Sequence, residues 1–460
     1  NKNNEDIITI ARKLIWVSHN SSTGLDAKSL LDEFGKFYKA IKVAESELYN
    51  LVDRHIESSE VRKKEGNLIN AINNFLDKMP SVFDPFAGGG AIPLEAARLG
   101  CRSYGNDINP VAYIIQKGSL EFPQKYGKPI IYSKSQFIKL YGEEEYNKLP
   151  NEWKVIHNGD VVRIRIPNQL SFDVEFFGKS ILSSTEKEIG KYYPKNKNGL
   201  KPSAYYWVRI GTCSNPSCRA EVPLLRQFNL NNAKQGRVYL HPIIQDKSIH
   251  FEIRKGSYDK VGWMSSKSLK CPFCGSTTPV DEIKEQSKSG KLKQSILAVI
   301  EEGTGNKSYR LPSDNEIKMS IVDSSLLNKV IIPNEDMLQI PDLVSGRGWG
   351  IHKWSQMFSN RQLLSLQTII SKINDLKQVL NTKENDYHKA IITYLGILIN
   401  RITPRFNMFT LWNTAAETLE HIFGRQAIPM VFDYPESNIF SSAGGSAQSQ
   451  IGWITKYIES

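Results

Sequence analysis

The sequence predicts an α/β chain on three observations. A short apolar run, Ser81-Val82-Phe83-Asp84, passes into a triple glycine at Gly88-Gly89-Gly90 and then into helical spacing at Ile92, Glu95, Ala96 and Leu99. A second strand-like run follows at Cys101–Asn106, so strand, glycine loop, helix and strand succeed one another in one unit. Apolar residues at three- and four-residue steps lie on both sides of it. With 460 residues, of which 40% are hydrophobic and 23% charged, the chain is large enough for two or three packed domains and excludes a disulfide-stapled miniprotein.

Residues 1–80 read as a helical segment, with Leu30, Phe34, Phe37, Ile41, Leu48 and Leu51 in helical register and Leu68, Ile69, Ile72, Phe75 and Leu76 repeating it. Residues 81–131 hold the β-α-β unit: Gly100 closes the helix as a residue just past its end, and the second strand stops at Asp107. Residues 132–333 are rich in Lys, Ser, Asn and Gly and read as a β-rich insertion, with flexible basic stretches at Lys191–Lys201 and Lys284–Lys293. Residues 334–460 turn helical again. Ser359 with Gln362 forms a capping box before Leu363, Leu366, Ile370 and Ile373, a second helix covers about Tyr387–Ile402, and a third is expected near Thr414–Phe423. Gly346–Gly350 reads as a flexible loop, and Asp433-Tyr434-Pro435-Glu436 as a turn after a strand at Pro429–Phe432.

Three glycines after a strand let the backbone approach a ligand closely, with helix N–H groups behind it. The dinucleotide fingerprint needs a further glycine three residues on, but Ala91, Ile92 and Pro93 follow, and no phosphate-binding loop ending in Gly-Lys-Ser/Thr is present; Gly303–Ser308 fails because Asn306 precedes Lys307. Asp84 would repel a diphosphate and suits a cation. S-adenosylmethionine carries an ammonium, a sulfonium and a ribose, so Asp84 fits its amino-acid end and Asp107 its ribose hydroxyls.

Cys213-Ser-Asn-Pro-Ser-Cys218 and Cys271-Pro-Phe-Cys274 form two knuckles that turn four thiolates inward. Such a set makes a closed tetrahedral zinc site, with a fortuitous set of free thiols, or iron, as the alternatives. Cys101 reads as core, and His241 and His250 as strand or loop residues.

These motifs carry a resemblance. Asp84-Pro85-Phe86-Ala87-Gly88-Gly89-Gly90, Ile92–Ala96, Asn106-Asp107-Ile108-Asn109-Pro110-Val111-Ala112, Leu120–Gly127, the cysteine pairs, Asn360-Arg361-Gln362-Leu363 and Phe423–Met430 together resemble the adenine-specific DNA methylases that contain a zinc ribbon. The likeness covers most of the chain after about residue 60. It implies a Rossmann-like methyltransferase sheet, built from residues 81–131 and the C-terminal third, with a zinc-ribbon insertion that serves target recognition. It further implies transfer of a methyl group from S-adenosylmethionine to adenine N6 in double-stranded DNA, within a restriction-modification or phage-defence system that can include partner subunits. Asp84, Pro85, Phe86, Ala87, Gly88, Gly89 and Gly90 would form the methionine pocket, Asp107 the ribose contact, and Ile108 would pack beside the adenine.

The family's catalytic Asp/Asn-Pro-Pro-Tyr/Phe motif does not occur, since no two prolines are adjacent anywhere in the sequence. The catalytic residues are therefore unassigned. The expectation is that the motif lies outside these 460 residues, which begin at Asn1 without Met. A motif on another subunit, or a non-catalytic subunit that binds S-adenosylmethionine and DNA, are the alternatives. A net charge of +11 favours a polyanionic partner. No apolar run approaches the roughly 20 residues of a membrane span, and no secretory pattern opens the chain, so a cytoplasmic protein is expected.

Overall fold

The computed structural model describes residues 39–459, apart from 42, 45, 48–57, 78–80, 158–159, 234–235, 303–306, 329, 338–343, 381–384 and 425–426. Of the first expected helical register, only Ile41 lies among the described residues, and the Arg425-Gln426 pair lies outside them. The chain divides into two compact units, Asn1–Leu170 and Ser171–Ser460.

In the first unit, α1 (Ser58–Leu76) precedes β1 (Ser81–Asp84), α2 (Ala91–Arg98) and β2 (Arg102–Gly105). β1 and β2 run parallel, with Ser81 opposite Arg102 and Asp84 opposite Gly105. Parallel neighbours require a crossover, and α2 supplies it. Gly100, at φ +82°, ends the helix in the left-handed region, as its position predicts. Ala96, Cys101 and Val82 make the small core between helix and strands. Among the described residues no third strand pairs with either of these two.

Further along, α3 (Pro110–Gln116) passes through one π-helical turn into α4 (Phe122–Tyr126). β3 (Ile130–Ser133), α5 (Lys134–Tyr141), α6 (Glu143–Lys148), β4 (Lys154–His157) and β5 (Asp160–Ile166) then form an antiparallel sheet of order β3-β5-β4 with two helices. Ser133 and Gln136 close a capping box on α5. Phe137, Ile164 and Ile166 are fully buried where α5 meets this sheet.

The second unit is organised by one antiparallel sheet. α7 (Gln169–Ile189) leads to β6 (Pro202–Thr212), β7 (Glu221–Pro223), β8 (Asn229–Asn231), β9 (Val238–Gln245), β10 (Ser248–Lys255), β11 (Ser268–Lys270), β12 (Thr277–Pro279), α8 (Val280–Lys288), β13 (Lys293–Glu302) and β14 (Lys307–Arg310). α9 (Asp314–Ser320), α10 (Asn360–Val379), α11 (Asp386–Ile402), β15 (Leu411–Asn413), β16 (Thr418–Glu420), β17 (Asp433–Ser437) and α12 (Ala447–Glu459) complete it. The main sheet has the order β14-β13-β6-β17, with β7 also paired to β6. Nearly every residue of β6 is buried, because both faces are covered. Alternation along the strand separates the faces. Tyr206 and Val208 join Leu225, Phe228, Leu230, Leu240, Leu297 and Ala298 in one core, whereas Tyr205 and Trp207 meet the Arg361 guanidinium.

Several expectations change at this level. The span 132–333 holds most of the strands, β4 to β14, as its β-rich reading expects, but it is shared between the two units and also contains the 21-residue helix α7. Val174, Ile181, Leu182 and Ile189 of that helix are buried on one stripe of helical period. The expected helix near Thr414–Phe423 is instead the β15–β16 hairpin. There Asn413 accepts the N–H groups of Ala415 and Ala416 through its side chain, and Glu417 takes φ +52°, so the local chemistry makes a turn. Asp433–Glu436 is a strand rather than a turn, Asp433 lying opposite Val208 and Glu436 opposite Tyr205. Gly346–Gly350 is no loose loop either. Ser345–Trp349 is a short 3-10 helix whose Trp349 is buried edge-on to Phe432. The two helices expected after Ser359 are present as α10 and α11, and Ser359 and Gln362 do close a capping box.

Candidate functional site

The glycine bend sits at the carboxyl ends of β1 and β2, the edge at which open α/β sheets bind ligands. Pairing continues past the strands. Asn106 N–H donates to the Asp84 carbonyl and Ala87 N–H to the Asn106 carbonyl, each at 2.9 Å. Gly88 and Gly90 take φ +53° and +85°, and Gly90 caps α2 from that left-handed conformation. A Cβ on Gly90 would also lie 3.0 Å from Leu120 Cδ1 and 3.1 Å from Gln116 Cγ.

The two carboxylates do different work. Asp84 Oδ1 accepts the Phe86 N–H at 3.1 Å, which fixes the first turn of the bend. Asp107 Oδ2 accepts the Gly88 N–H at 2.8 Å and Oδ1 the Asn109 N–H at 2.8 Å, so this carboxylate ties the bend to the start of α3. Those backbone donors, Asn109 first and Gly88 next, hold the Asp107 carboxyl below its ordinary value. Each oxygen keeps acceptor capacity for a second donor.

The structure thus brings Asp84, Pro85, Phe86, Ala87, Gly88, Gly89, Gly90 and Asp107 into one bend, with Ala87 and Gly90 buried. Ile108 follows it but is 98% exposed, and Phe86 is 85% exposed. Gln116 escaped the sequence reading. It is buried, its Nε2 donates to the Gly88 carbonyl at 3.0 Å, and its Oε1 would lie 2.4 Å from a Cβ on Gly105. The signal was its place on α3 one helical turn before Leu120, pointing back at the bend.

The cysteines form the second site. Each knuckle caps a hairpin: Cys213 and Cys218 join β6 to β7, and Cys271 and Cys274 join β11 to β12. Arg219 and Gly275, just after the second cysteine of each knuckle, both have positive φ. Sγ of Cys213 lies 3.7 Å from that of Cys274, Sγ of Cys218 3.8 Å from that of Cys271, and all four fall within 4.8 Å of one another. A tetrahedral centre with metal–sulfur bonds of about 2.3 Å has sulfur–sulfur edges of about 3.8 Å. The four cysteines therefore can hold a metal ion, and neither His241 nor His250 belongs to the set.

Side chains around the knuckles lock them together. Thr278 Oγ1 accepts the Ser214 N–H at 2.9 Å, Asn215 Nδ2 donates to Ser276 Oγ at 3.1 Å, and Gln286 exchanges two hydrogen bonds of 2.8 Å with the Thr212 backbone. Burial pushes the Cys213 thiol up to about 12, and hydrogen bonds from Ser276 bring Cys274 down to about 6. A cation among the sulfurs would draw all four toward thiolate.

Of the two basic stretches, Lys191–Lys201 is mostly loop, as expected, whereas Lys284–Lys293 is not. Lys284 and Lys288 lie on α8, paired with Asp281 at 2.7 Å and Glu285 at 2.8 Å, and Lys293 and Lys201 pair with Glu221 and Glu186. Cys101 is buried, as expected for a core residue. Among the described residues no helix is long and apolar enough to cross a membrane. Comparison with family models, with curated proteins and with solved structures finds no match to the chain.

Proposed function

We propose that the chain is an S-adenosylmethionine-dependent methyltransferase acting on adenine N6 of double-stranded DNA, in a cytoplasmic restriction-modification or phage-defence system. The observation that carries this reading is the pair of carboxylates, Asp84 and Asp107, on either side of a triple-glycine bend at the ends of two parallel strands. Asp84 would take the ammonium of the methionine moiety. The bend from Pro85 to Gly90 would wall that moiety, and Asp107 would accept from the ribose hydroxyls while keeping its hold on Gly88. Ile108, exposed beside the bend, would cover the adenine.

Once bound, the cofactor supplies a methyl group on a positively charged sulfonium. The chain contributes orientation, and its two negative charges disfavour diphosphate ligands. The Rossmann-like sheet belongs to this proposal. So does a zinc ion on Cys213, Cys218, Cys271 and Cys274, which leave no open coordination position and so would staple the hairpins rather than activate water. Residues 132–333 would contact DNA, supported by the net charge of +11.

The test is incubation of the full chain with double-stranded DNA and S-adenosylmethionine labelled in its methyl group. Label recovered as N6-methyladenine is expected, and failure both to bind the donor and to label DNA would overturn the proposal. One observation favours a second reading, a non-catalytic donor- and DNA-binding subunit of a defence complex: the sequence has no adjacent prolines. Donor binding without transfer, with transfer appearing only when a partner subunit is added, selects it.

A further inference from the structure

A cavity of about 500 Å³ opens in the second unit, walled by the end of α11, the β15–β16 hairpin and the loop before α12. Lys307, Arg401 and Arg405 line it together with Trp412 and Trp453. This is a surplus of positive charge in a confined space. Among the described residues the one carboxylate in the wall is that of Glu420, and its Oε1 accepts from Asn413 Nδ2 at 2.8 Å. Lys307 has protein partners, donating to the Glu417 carbonyl and lying 5.4 Å from the Trp412 ring centre.

The arginines are different. Arg401 Nε donates to Gln450 Oε1 at 3.2 Å, and the buried Gln450 is held in turn by the Gly444 carbonyl at 3.2 Å. That grip orients the guanidinium, yet its terminal nitrogens meet no acceptor among the described residues, and neither arginine has a carboxylate within 4.0 Å. Burial and the nearby Arg405 charge together hold the Arg401 value below the ordinary arginine range. The carbonyl end of α11 makes cations locally acceptable there. It does not supply a partner for two guanidinium groups that line the same cavity.

We propose that this cavity binds a nucleoside phosphate, its phosphate on Arg401 and Arg405 and its base against the indole of Trp453. Planar guanidinium forks suit phosphate oxygens, and Trp453, 58% exposed with Lys456 Nζ 5.5 Å from its ring centre, offers a ring face on which a base stacks. The volume lies within the range of ordinary small-ligand pockets. The same chemistry is presented by a free nucleotide and by one residue of a DNA strand. The inference lies wholly within the second unit and does not rest on the glycine bend.

The experiment titrates the full chain by calorimetry with deoxyadenosine monophosphate, with inorganic phosphate and with a short single-stranded oligodeoxynucleotide. The nucleotide should bind more tightly than phosphate, and Arg401→Gln with Arg405→Gln should weaken it by about tenfold to a hundredfold. Trp453→Ala, at an exposed position, should weaken the nucleotide while leaving phosphate unchanged. If the oligonucleotide competes with the nucleotide, the natural source is a strand; if it does not, the source is the free nucleotide, and both outcomes support the site. No binding of any probe at millimolar concentration, or affinities unchanged in the folded arginine variants, would overturn it. S-adenosylmethionine binding in those variants reports on the other site separately.

Discussion

Replacing Glu436 by Gln should strongly destabilise the second unit, and the structure sets the size of the loss. The Glu436 and Arg361 side chains are 0% and 1% exposed. Glu436 Oε1 accepts from Arg361 Nε at 2.9 Å and from Tyr193 Oη at 3.4 Å, and Oε2 accepts from Arg361 Nη2 and Trp207 Nε1, each at 2.7 Å. A glutamine has one acceptor oxygen. Turned toward Nη2 and Trp207, that oxygen leaves its NH2 group facing Arg361 Nε; turned the other way, the NH2 group faces two donors. Burial opposes the charge on Arg361, but Glu436 together with Tyr193 and Tyr205 more than offsets it and the guanidinium stays protonated. The substitution therefore strands a buried cation, enclosed by Tyr193, Tyr205 and Trp207. Breaking one side of a buried pair costs about 3–5 kcal/mol. For a unit spanning Ser171–Ser460 that is a fall in melting temperature of about 5–8 °C, read by circular dichroism with denaturant titration as the cross-check. Arg361→Met with Glu436→Met should cost less than Glu436→Gln alone, because no charge is left behind. A Glu436→Gln variant within about 1 kcal/mol of the parent, a loss typical of an exposed ion pair, would refute the reasoning.

Other consequences are equally concrete. Cys271→Ser should lower bound metal below one equivalent by atomic absorption and loosen the β6–β7 and β11–β12 hairpins in hydrogen exchange, while β1 and β2 keep their protection. Gly90→Ala should cost about 1–3 kcal/mol in the stability of the first unit, since alanine is strained at φ +85° and its methyl would meet Leu120; an unchanged denaturation midpoint would show that the bend tolerates a side chain. The Asp107 carboxyl should titrate below the ordinary value of about 3.9 in a carbon-detected NMR titration. With a depressed folded value, its hold on Gly88 is complete above the unfolded value and is lost only as pH falls through the folded one. Protection of the Gly88 amide, corrected for intrinsic exchange, should therefore stay constant between pH 7 and pH 5.

The parts legible in the sequence were those whose determinants are close together in it. Gly88, Gly90 and Gly100 each hold positive φ within one short segment, so strand, bend and helix end could be placed from residue types alone. Cysteine spacing foretold the four-cysteine cluster for a similar reason, since each hairpin brings in its own pair. What escaped was set by distant partners. Asp433-Tyr434-Pro435-Glu436 has the composition of a turn, and it becomes a strand because β6 lies beside it and Arg361 needs its carboxylate. Arg361 was visible as part of a motif, but nothing nearby shows that it is buried. The capping boxes at Ser133–Gln136 and Ser313–Glu316 were readable by the spacing that revealed Ser359–Gln362, and they mark helices inside a span taken as β-rich. At the bend, Asp107 reads from the sequence as a ribose contact, and its bonds to Gly88 and Asn109 give it a structural duty that only the fold discloses.

Calorimetric titration of the full chain with S-adenosylmethionine tests the account at its centre. One site per chain is expected, with affinity lowered roughly tenfold by Asp107→Ala and no competition from nicotinamide dinucleotides. Absence of heat at millimolar donor, or displacement of the donor by a dinucleotide, would contradict it.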